Sequence, residues 1–448
     1  MADRLIASSE SPLVVGLGST GLSCVRYFTA RGIPCAVADS RAKPPGLDEL
    51  QSIDAELSVQ ALDAEVLMRA GRLVVSPGVA LDEPAVAAAI EAGVPVCGDI
   101  DLFCEEAAAP VVGITGSNGK STVTALLGEM AAAAGRRVAV GGNLGTPALD
   151  LLDDAVELYV LELSSFQLER AGKLGLALAT VLNMSPDHMD RHHNMQAYHA
   201  AKHRIFLNCG AAVFNREDPL SRPLQADTVP AWSFGLDAPD RRGYGLREHE
   251  GSLYIFREFQ PLMPAGEIKL VGRHNLANAL AALAMGELLG LPADAMREAL
   301  ANFAGLPHRS QLVGEANELR FVNDSKATNP GATLAALGGF DKGVVLILGG
   351  QGKGADFTEL AAATTGCRRV ILMGEDAGLL DAALPPGVSR ERVASMDAAV
   401  DAAVAAAEPG DVILLSPACA SFDMFAGFAA RGDAFCQSVA RYLDGGVA

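Results

Sequence analysis

The sequence predicts an α/β protein built from two to four domains. The chain has 448 residues, which is too long for a single hydrophobic core. Half of its residues are hydrophobic and 47 are glycine, a composition typical of globular proteins with many strand-to-helix turns. Short β-branched runs lead repeatedly into Gly-rich or polar turns and then into helical segments, which favours parallel sheets covered by helices.

Composition also restricts the compartment and the partners. The formal net charge of −19 argues against binding to nucleic acid or to an anionic membrane. No apolar run reaches the roughly 18 residues needed to cross a bilayer, and residues 1–10 lack the basic and apolar regions of a signal peptide. The eight cysteines include no C-x-x-C pair, which favours a reducing compartment. We therefore expect a cytoplasmic monomer that binds small molecules.

Residues 13–39 predict a strand–helix–strand unit. The turn Gly16-Leu17-Gly18-Ser19-Thr20-Gly21 has G-x-G-x-x-G spacing, and Asp39 ends the second predicted strand. This fingerprint places an anionic group on a helix N-terminus and a hydroxyl on the acid. It does not choose between a nicotinamide dinucleotide and a uridine diphosphate. A second turn, Ser76-Pro77-Gly78, follows another predicted strand, and the unit closes near Gly98.

Residues 111–122 predict a phosphate cradle between a strand and a helix. Their sequence is Val-Val-Gly-Ile-Thr-Gly-Ser-Asn-Gly-Lys-Ser-Thr, in which Lys120 can reach the β- and γ-phosphates and Ser121 or Thr122 can ligate Mg²⁺. The strict P-loop spacing is not met, because Ile114 stands where its first glycine would be. Gly-Lys-Ser-Thr at this position disfavours the alternative of an ordinary turn that happens to carry a lysine.

Polar residues follow the next predicted strands. Glu162 lies near the carboxyl end of an apolar run, where it could hold Mg²⁺, the alternative being an acid that faces water. His188 and His192 are four residues apart, but the segment opens on a proline and lacks H-E-x-x-H, which disfavours a tetrahedral zinc site. Lys202 lies on a predicted helix at 197–208, and a solvated lysine on a helix face is its alternative.

The last third of the chain predicts a second doubly wound unit. Asn275 and Asn278 first open a long helix on one face, with N-terminal capping as the alternative. After a boundary near Gly305, four predicted strands each end in a polar or Gly-rich loop. Two of these loops carry Lys326 and Lys353, which predicts a rim that binds anions.

Together these motifs resemble the ATP-dependent Mur ligase family, in order and spacing along essentially the whole chain. The matching motifs are Gly113–Thr122, Leu161–Ser165, Asp187-His188, Lys202, His274–Asn278, His308-Arg309 and Asn323–Asn329. Three further segments resemble the members that add D-glutamate: Gly16–Ser23, Asp39–Arg41 and Ser416–Asp423.

The resemblance implies an α/β architecture of three domains. These are a Rossmann-like domain for the UDP substrate (1–98), a central P-loop-type domain for ATP (99–305) and a Rossmann-like C-terminal domain for the amino acid (306–448). The implied reaction joins D-glutamate to UDP-N-acetylmuramoyl-L-alanine through an acyl phosphate, for peptidoglycan precursor synthesis. The alternatives are a NAD-dependent oxidoreductase, a non-enzymatic nucleotide-binding module, and a sister ligase for another amino acid or for folate.

The resemblance also implies roles for individual residues. It implies ATP binding by Gly116, Ser117, Asn118, Gly119, Lys120, Ser121, Thr122, Asn275, Asn278, Arg309 and Asp324. The UDP substrate would contact Ser19, Thr20, Asp39, Arg41, Ser76, Gly78, Asn143 and Ser164. D-Glutamate would contact Lys326, Thr328, Lys353, Ser421 and the backbone of Phe428. The implied catalytic residues are Lys120, Glu162, His188 and Lys202. Two Mg²⁺ sites would use Ser121 with Glu162, and His188 with Lys202 as a CO₂-derived carbamate, because an unmodified ammonium cannot ligate Mg²⁺.

Overall fold

The computed structural model describes residues 11–224, 229–270, 272–340 and 343–445, with no side-chain description at Asp190. The expectation about residues 1–10 lies outside this part of the chain. The described part contains three separate sheets, in agreement with the three domains that the resemblance implies.

The first sheet has five parallel strands: β1 (Pro12–Val15), β2 (Ala36–Asp39), β3 (Val59–Ala61), β4 (Arg72–Val75) and β5 (Val96–Cys97). Their spatial order is β3-β2-β1-β4-β5. The helices are α1 (Ser19–Ala30), α2 (Leu47–Ile53), α3 (Ala64–Leu67), α4 (Pro84–Glu91) and α5 (Asp99–Glu106). The sequence predicts the second strand over residues 33–38, but β2 begins only at Ala36, because the Gly32 turn and Pro34 precede it.

The second sheet has nine strands: β6 (Val111–Thr115), β7 (Val138–Gly142), β8 (Leu158–Glu162), β9 (Leu178–Val181), β10 (Ala212–Asn215), β11 (Ala231–Phe234), β12 (Gly243–His249), β13 (Ser252–Arg257) and β14 (Gln260–Pro264). Their order is β14-β13-β12-β11-β10-β9-β6-β8-β7, and the last two pairings along the chain are antiparallel hairpins. The helices are α6 (Lys120–Ala133), α7 (Ser165–Arg170), α8 (Met189–His192), α9 (Met195–His203), α10 (Arg273–Leu288) and α11 (Ala293–Asn302).

The predicted helix at 197–208 is displaced in the structure. Helix α9 begins at Met195 because the Asn194 side chain caps it by accepting the amide of Ala197 at 2.8 Å. It ends at His203, before a short 3₁₀ turn. Lys202 is therefore in the last turn of α9 rather than at its centre.

The third sheet has six strands: β15 (Gln311–Ala316), β16 (Leu319–Asn323), β17 (Val344–Gly349), β18 (Cys367–Met373), β19 (Arg390–Arg392) and β20 (Val412–Leu415). Their order is β15-β16-β20-β17-β18-β19, with β15 antiparallel at one edge. The helices are α12 (Pro330–Leu337), α13 (Leu360–Thr364), α14 (Ala377–Ala383), α15 (Met396–Ala406) and α16 (Phe428–Gly445). All four strands predicted here are present, and the two edge strands were not predicted.

The hydrophobic cores do not divide evenly among the three sheets. One continuous cluster, here called the shared cluster, contains Val14 and Phe28 from the first sheet and its helices together with Tyr159 and Leu161 from the second. The third sheet is packed in clusters of its own. Within the described residues, none of the helices combines the length and apolar character needed to cross a membrane. The domain limits at 98/99 and 305/306 stay a prediction.

Candidate active site

The predicted phosphate cradle is the loop between β6 and α6. Gly116 and Gly119 have φ values of +151° and +83°, which glycine adopts without steric cost. A β-carbon on Gly119 would also collide with the side chain of Asn278. The Lys120 amine donates to the carbonyls of Gly116 and Ser117, at 2.9 Å each. The lysine thus lies directly over the loop whose amides would meet a phosphate.

Glu162 is the centre of a buried polar group beside the cradle. The Ser121 hydroxyl donates to one carboxylate oxygen, and the Asn143 amide donates to the other at 2.6 Å. From the third domain, Arg309 Nη2 donates to Ser121 Oγ at 2.5 Å. Burial would raise the pKa of Glu162, but Lys120 and these hydrogen bonds lower it below its ordinary value. Glu162 is 3% exposed, so the alternative of an acid facing water is wrong.

Lys202 is buried against the same loop. Its amine donates to the Gly116 carbonyl at 2.8 Å and to the Thr115 hydroxyl at 3.2 Å, and it lies 4.8 Å from the centre of the Tyr198 ring. Burial, assisted by Lys120, lowers the pKa of Lys202 well below its ordinary value. The alternative of a solvated helix-face lysine is therefore wrong, and burial favours the neutral form of the amine.

His188 differs from Lys202, because about half of its side chain is exposed (48%). It precedes α8 in the left-handed region at φ +57°, with Nε2 3.7 Å from Asp187 Oδ2. His188 and His192 both pack on the Phe166 ring, and His192 Nε2 lies 2.9 Å from Ser165 Oγ. In the described part of the chain, no three His, Cys, Asp or Glu side chains are grouped to hold a metal ion.

A cavity of about 310 Å³ lies between the second and third domains. Seven of the predicted ATP-binding residues line it: Asn118, Gly119, Thr122, Asn275, Asn278, Arg309 and Asp324. The cap of α10 is Gly272, so Asn275 and Asn278 do not cap this helix. Instead they hydrogen-bond to each other at 3.0 Å and lie on one buried face, as predicted.

Asp324 is the buried acid of this cavity. Its two oxygens accept the Ser310 amide at 3.1 Å and the Ser416 hydroxyl at 3.0 Å. Burial raises the pKa of Asp324 to about 7, although Arg309 acts in the opposite direction. A buried carboxyl group with a pKa near 7 beside an arginine is typical of functional sites, where strongly shifted pKa values cluster.

The five residues predicted to bind D-glutamate have different environments. Lys326 lines the cavity, stands 4.1 Å from the centre of the Phe428 ring, and has its pKa lowered by burial to about 8. Lys353 stands 5.2 Å from the Phe422 ring. Ser421 is buried and Thr328 is exposed. The Phe428 carbonyl accepts the Ser325 hydroxyl at 2.8 Å, and the contact of the Phe428 backbone with the amino acid stays a prediction.

The loop before Lys353 also contacts the Ser421 loop. Gln351, for which the sequence gives no role, forms a two-bond backbone bridge with Ala420, each bond 2.9 Å long. This bridge brings the loops after β17 and β20 together.

The fingerprint turn of the first domain is held by its own side chains. Asp39 accepts the Leu17 amide at 2.7 Å and three hydrogen bonds from Arg41 at 2.8–2.9 Å, which lower its pKa to about 2. Both carboxylate oxygens are thus already engaged, and Asp39 orients Arg41. Ser19 and Thr20 open α1, which begins within the predicted turn, and their contacts with the UDP substrate stay predictions.

Ser76, Gly78 and Ser164 complete the predicted UDP site. The Ser76 hydroxyl donates to the Gly16 carbonyl at 2.8 Å, and Gly78 is exposed. Ser164 caps α7 in a capping box with Gln167. The hydroxyls of both serines therefore hold local structure, and their contacts with substrate stay predictions.

Sequence reasoning missed several residues that shape the site. Asn183 pairs its amide with the backbone of Asn118, at 2.8 and 3.0 Å, and its position after a predicted strand was the available signal. The Tyr198 hydroxyl lies 3.1 Å from Ser117 Oγ. Arg431 is fully buried in α16 and donates to Ser325 Oγ at 3.0 Å. No sequence motif predicts this contact.

The residues present fit the implied magnesium ions. Glu162 and Ser121 offer an ionised carboxylate and a hydroxyl, the hard oxygen ligands that Mg²⁺ prefers. The second pair fits only if Lys202 is converted to an oxygen ligand, and burial, which lowers its pKa, favours the uncharged amine that can react with CO₂.

The fold and the cradle define a three-domain, nucleotide-binding α/β enzyme. Three family models match it in succession: Mur ligase MurD-like N-terminal domain (10–98), Mur ligase middle domain (114–286) and Mur ligase, glutamate ligase domain (308–419). The chain belongs to the Mur ligase family, which confirms the family and the fold class expected from the motifs.

Full-length relatives carry one name. The chain is 54% identical over 442 residues to the UDP-N-acetylmuramoylalanine–D-glutamate ligases of Pseudomonas fluorescens and Pseudomonas aeruginosa, which covers 97% of this chain and 99% of each relative. The enzyme of that name from Nitrosococcus oceani is 52% identical, with 97% of each chain covered.

Solved structures share the fold at lower identity. The MurF ligase of Thermotoga maritima in complex with ADP has a TM-score of 0.60 and 18% identity, with all of both chains covered. The UDP-N-acetylmuramate–alanine ligase of the same organism has a TM-score of 0.59 and 19% identity, with 97% and 99% covered.

Proposed function

We propose that this chain is an ATP-dependent ligase that adds D-glutamate to UDP-N-acetylmuramoyl-L-alanine in cytoplasmic peptidoglycan precursor synthesis. The high identity to ligases of that name over nearly the whole chain supports the substrates. The observation that supports the chemistry is that Glu162, Arg309 and Lys120 lie close together around Ser121 at the cradle. Glu162 of the second domain and Arg309 of the third both bind Ser121, beside Lys120.

The reaction takes place in two steps. The alanyl carboxylate of the UDP substrate attacks the γ-phosphorus of ATP, the bond to ADP breaks, and an acyl phosphate forms. The neutral amine of D-glutamate then attacks the acyl carbon, and inorganic phosphate leaves as the amide forms and the amine loses a proton. Both reactants of the first step are anions, so catalysis is largely positioning and charge neutralisation.

The cradle residues would bind and orient ATP. Lys120 would move from the loop carbonyls to the phosphates, a small change because those carbonyls are part of the same loop. Asn275 and Asn278 would contact the nucleotide from α10, and Arg309 and Asp324 from the third domain. All four line the same cavity, which supports this assignment.

Ser121 and Glu162 would hold one Mg²⁺, and His188 and Lys202 a second. Bound Mg²⁺ supplies positive charge that offsets the phosphate and carboxylate charges. Lys202 would first add its amine to CO₂, release a proton and become an anionic carbamate. The low pKa that burial gives Lys202 favours this, because only the neutral amine can attack CO₂.

The UDP moiety would lie in the first domain and D-glutamate in the third. The UDP moiety would contact Ser19, Thr20, Arg41 and the 76–78 turn, while Asn143 and Ser164 orient the remainder. The carboxylates of D-glutamate would meet Lys326, Lys353, Thr328 and Ser421. We further propose that the enzyme works as a monomer.

Phosphate release from ATP tests this function. We expect release in the presence of UDP-N-acetylmuramoyl-L-alanine with D-glutamate, but not with L-glutamate, L-alanine or diaminopimelate. Lys202→Ala should abolish release and a short carboxylic acid should restore part of it, whereas the exposed Lys173→Ala should behave as wild type. Release with another amino acid would reassign the substrate. ATP binding without any release would favour a regulatory module, and reduction of a nicotinamide would favour an oxidoreductase.

A further inference from the structure

Arg170, the last residue of α7, reaches from the second domain into the first. Its side chain is completely buried. Nη1 donates to the carbonyls of Val75 at 3.1 Å and Ser76 at 2.6 Å, and Nη2 donates to the carbonyl of Val79 at 3.1 Å. One guanidinium therefore holds three carbonyls of a single loop in the neighbouring domain.

That loop, residues 75–79, supports the fingerprint turn. The Ser76 amide donates to the Val15 carbonyl at 2.9 Å, and its hydroxyl donates to the Gly16 carbonyl at 2.8 Å. A β-carbon on Gly16 would lie 2.9 Å from Val79 Cγ2, so turn and loop are in close contact. Any shift of the 75–79 loop would consequently displace the turn that is proposed to meet the UDP group.

The same short helix is fixed at its other end to the reaction site. Ser164 caps α7 two residues after Glu162. Gln167, within the helix, accepts from Ser164 and donates Nε2 to Asp99 of α5 at 3.1 Å. The contacts of α7 thus connect the end of β8, which carries Glu162, with the 75–79 loop that supports the fingerprint turn.

Burying an arginine at this position carries a desolvation cost for its charge. Its one close carboxylate is Glu169, 3.5 Å from Nη2, and the other partners are neutral carbonyls. A buried charge with such partners contributes little net stability compared with a packed apolar side chain. It does, however, fix several acceptors in one plane, which neither an apolar side chain nor lysine can do.

We propose that Arg170 is a positioning residue for the UDP substrate. By holding the 75–79 loop against α7, it sets the UDP site of the first domain in register with Glu162 of the second. This inference rests on the proposed function. It concerns a residue that would touch the protein backbone and not the substrate.

Steady-state kinetics of three variants test the inference. Arg170→Met should raise the KM for UDP-N-acetylmuramoyl-L-alanine by about tenfold, with kcat and the KM for ATP within about twofold of wild type. Arg170→Lys, which keeps the charge but loses the fork, should fall between. The matched control is Arg136→Met, because Arg136, which is partly buried, also donates to a carbonyl, that of Leu289, but within the second domain.

Direct titration with UDP keeps the test independent of turnover. The Kd for UDP should rise in Arg170→Met by about the same factor as the KM, while the Kd for ADP stays constant. Equal losses of kcat in Arg170→Met and Arg136→Met, with unchanged KM and Kd, would overturn the inference. If Arg170→Met does not fold, Arg170→Lys with wild-type KM and Kd would also overturn it. Wild-type protein that binds UDP but releases no phosphate would contradict the proposed function instead.

Discussion

The two junctions between domains differ in their main contacts, although Arg170 also makes polar contacts across the first. Where the first and second domains meet, apolar side chains from both sides form the shared cluster, which includes Phe28 of the first domain and Tyr159 and Leu161 of the second. Where the second and third meet, polar contacts bridge a cavity of about 310 Å³. These include Arg309 to Ser121 at 2.5 Å and Asn329 to Asp187 at 3.2 Å.

From this difference we infer that the first junction contributes mainly to stability and the second mainly to the reaction. Apolar burial is non-directional and is lost only when the domains come apart, so it holds the first junction permanently. Hydrogen bonds across a cavity can be exchanged for bonds to a ligand at small net cost. We infer that the first two domains form one unit, and that ligand-dependent movement is concentrated at the second junction.

The first test of the difference between the two junctions removes a charge from the second. Glu162→Gln should lower kcat for phosphate release about a thousandfold, because the carboxylate is central to the charge balance at the cradle. The free energy of unfolding should fall by no more than about 1–3 kcal/mol, the cost of leaving one buried hydrogen-bond partner of Glu162 incompletely satisfied. Phosphate release and urea unfolding measure the two effects.

Glu157→Gln is the matched control at the opposite end of the same strand. Its carboxylate accepts the Arg137 amide at 2.9 Å, and about half of the side chain is exposed (49%). Both quantities should stay at their wild-type values. Loss of activity in proportion to loss of folded protein in Glu162→Gln would contradict the separation of stability from chemistry.

The site could be predicted from the sequence wherever a polar residue follows an apolar strand. Glu162 and the cradle were found in this way, because the carboxyl ends of parallel strands converge, whereas Asp324 was assigned by resemblance. Lys202 could be placed only by resemblance, since helical spacing does not reveal which face is buried. The strand that leads into Asp39 was predicted too long, because Pro34 delays its pairing.

The junctions could not be predicted. The apolar residues of α1 and α5 are typical of any core-facing helix, and their pattern does not identify the partner sheet. Arg170 and Arg431 look like ordinary surface arginines of two helices, and only the structure shows that each is buried among carbonyls. Asp39 illustrates the reverse case, because the fingerprint predicts a ligand contact, which stays a prediction, but does not indicate the hydrogen bond to Arg41 that the structure shows.

A smaller effect concerns the buried acid at the second junction. Burial raises the pKa of Asp324 to about 7, whereas an unfolded aspartate titrates near pH 4. The native chain therefore holds a proton that the unfolded chain has lost, and this contribution to stability is full below about pH 4 and disappears as the pH rises to about 7. We expect wild type to lose about 2.5 kcal/mol between pH 5 and pH 7 relative to Asp324→Asn.

Urea unfolding at several pH values measures this difference. The exposed Asp294→Asn, whose side chain is 97% exposed, is the control and should follow the wild-type pH profile. Parallel profiles for wild type and Asp324→Asn would show that the acid is ionised in the folded chain at pH 5.

The most direct test of the central claim uses the single tryptophan. Trp232 lies in β11 of the second domain, so its fluorescence reports the unfolding of that domain alone. Val25 of α1 and Val439 of α16 are both completely buried helical valines, the first in the shared cluster and the second in a cluster of the third domain. Truncating either to alanine should cost about 1.5–2 kcal/mol in its own unit.

We predict that Val25→Ala lowers the urea midpoint of the Trp232 transition, although the mutation is in another domain. Val439→Ala should leave that midpoint unchanged and should move only the transition of the third domain seen by circular dichroism. An unchanged Trp232 midpoint in Val25→Ala, or equal shifts in the two variants, would contradict the claim that the first two domains form one unit and the third stands apart.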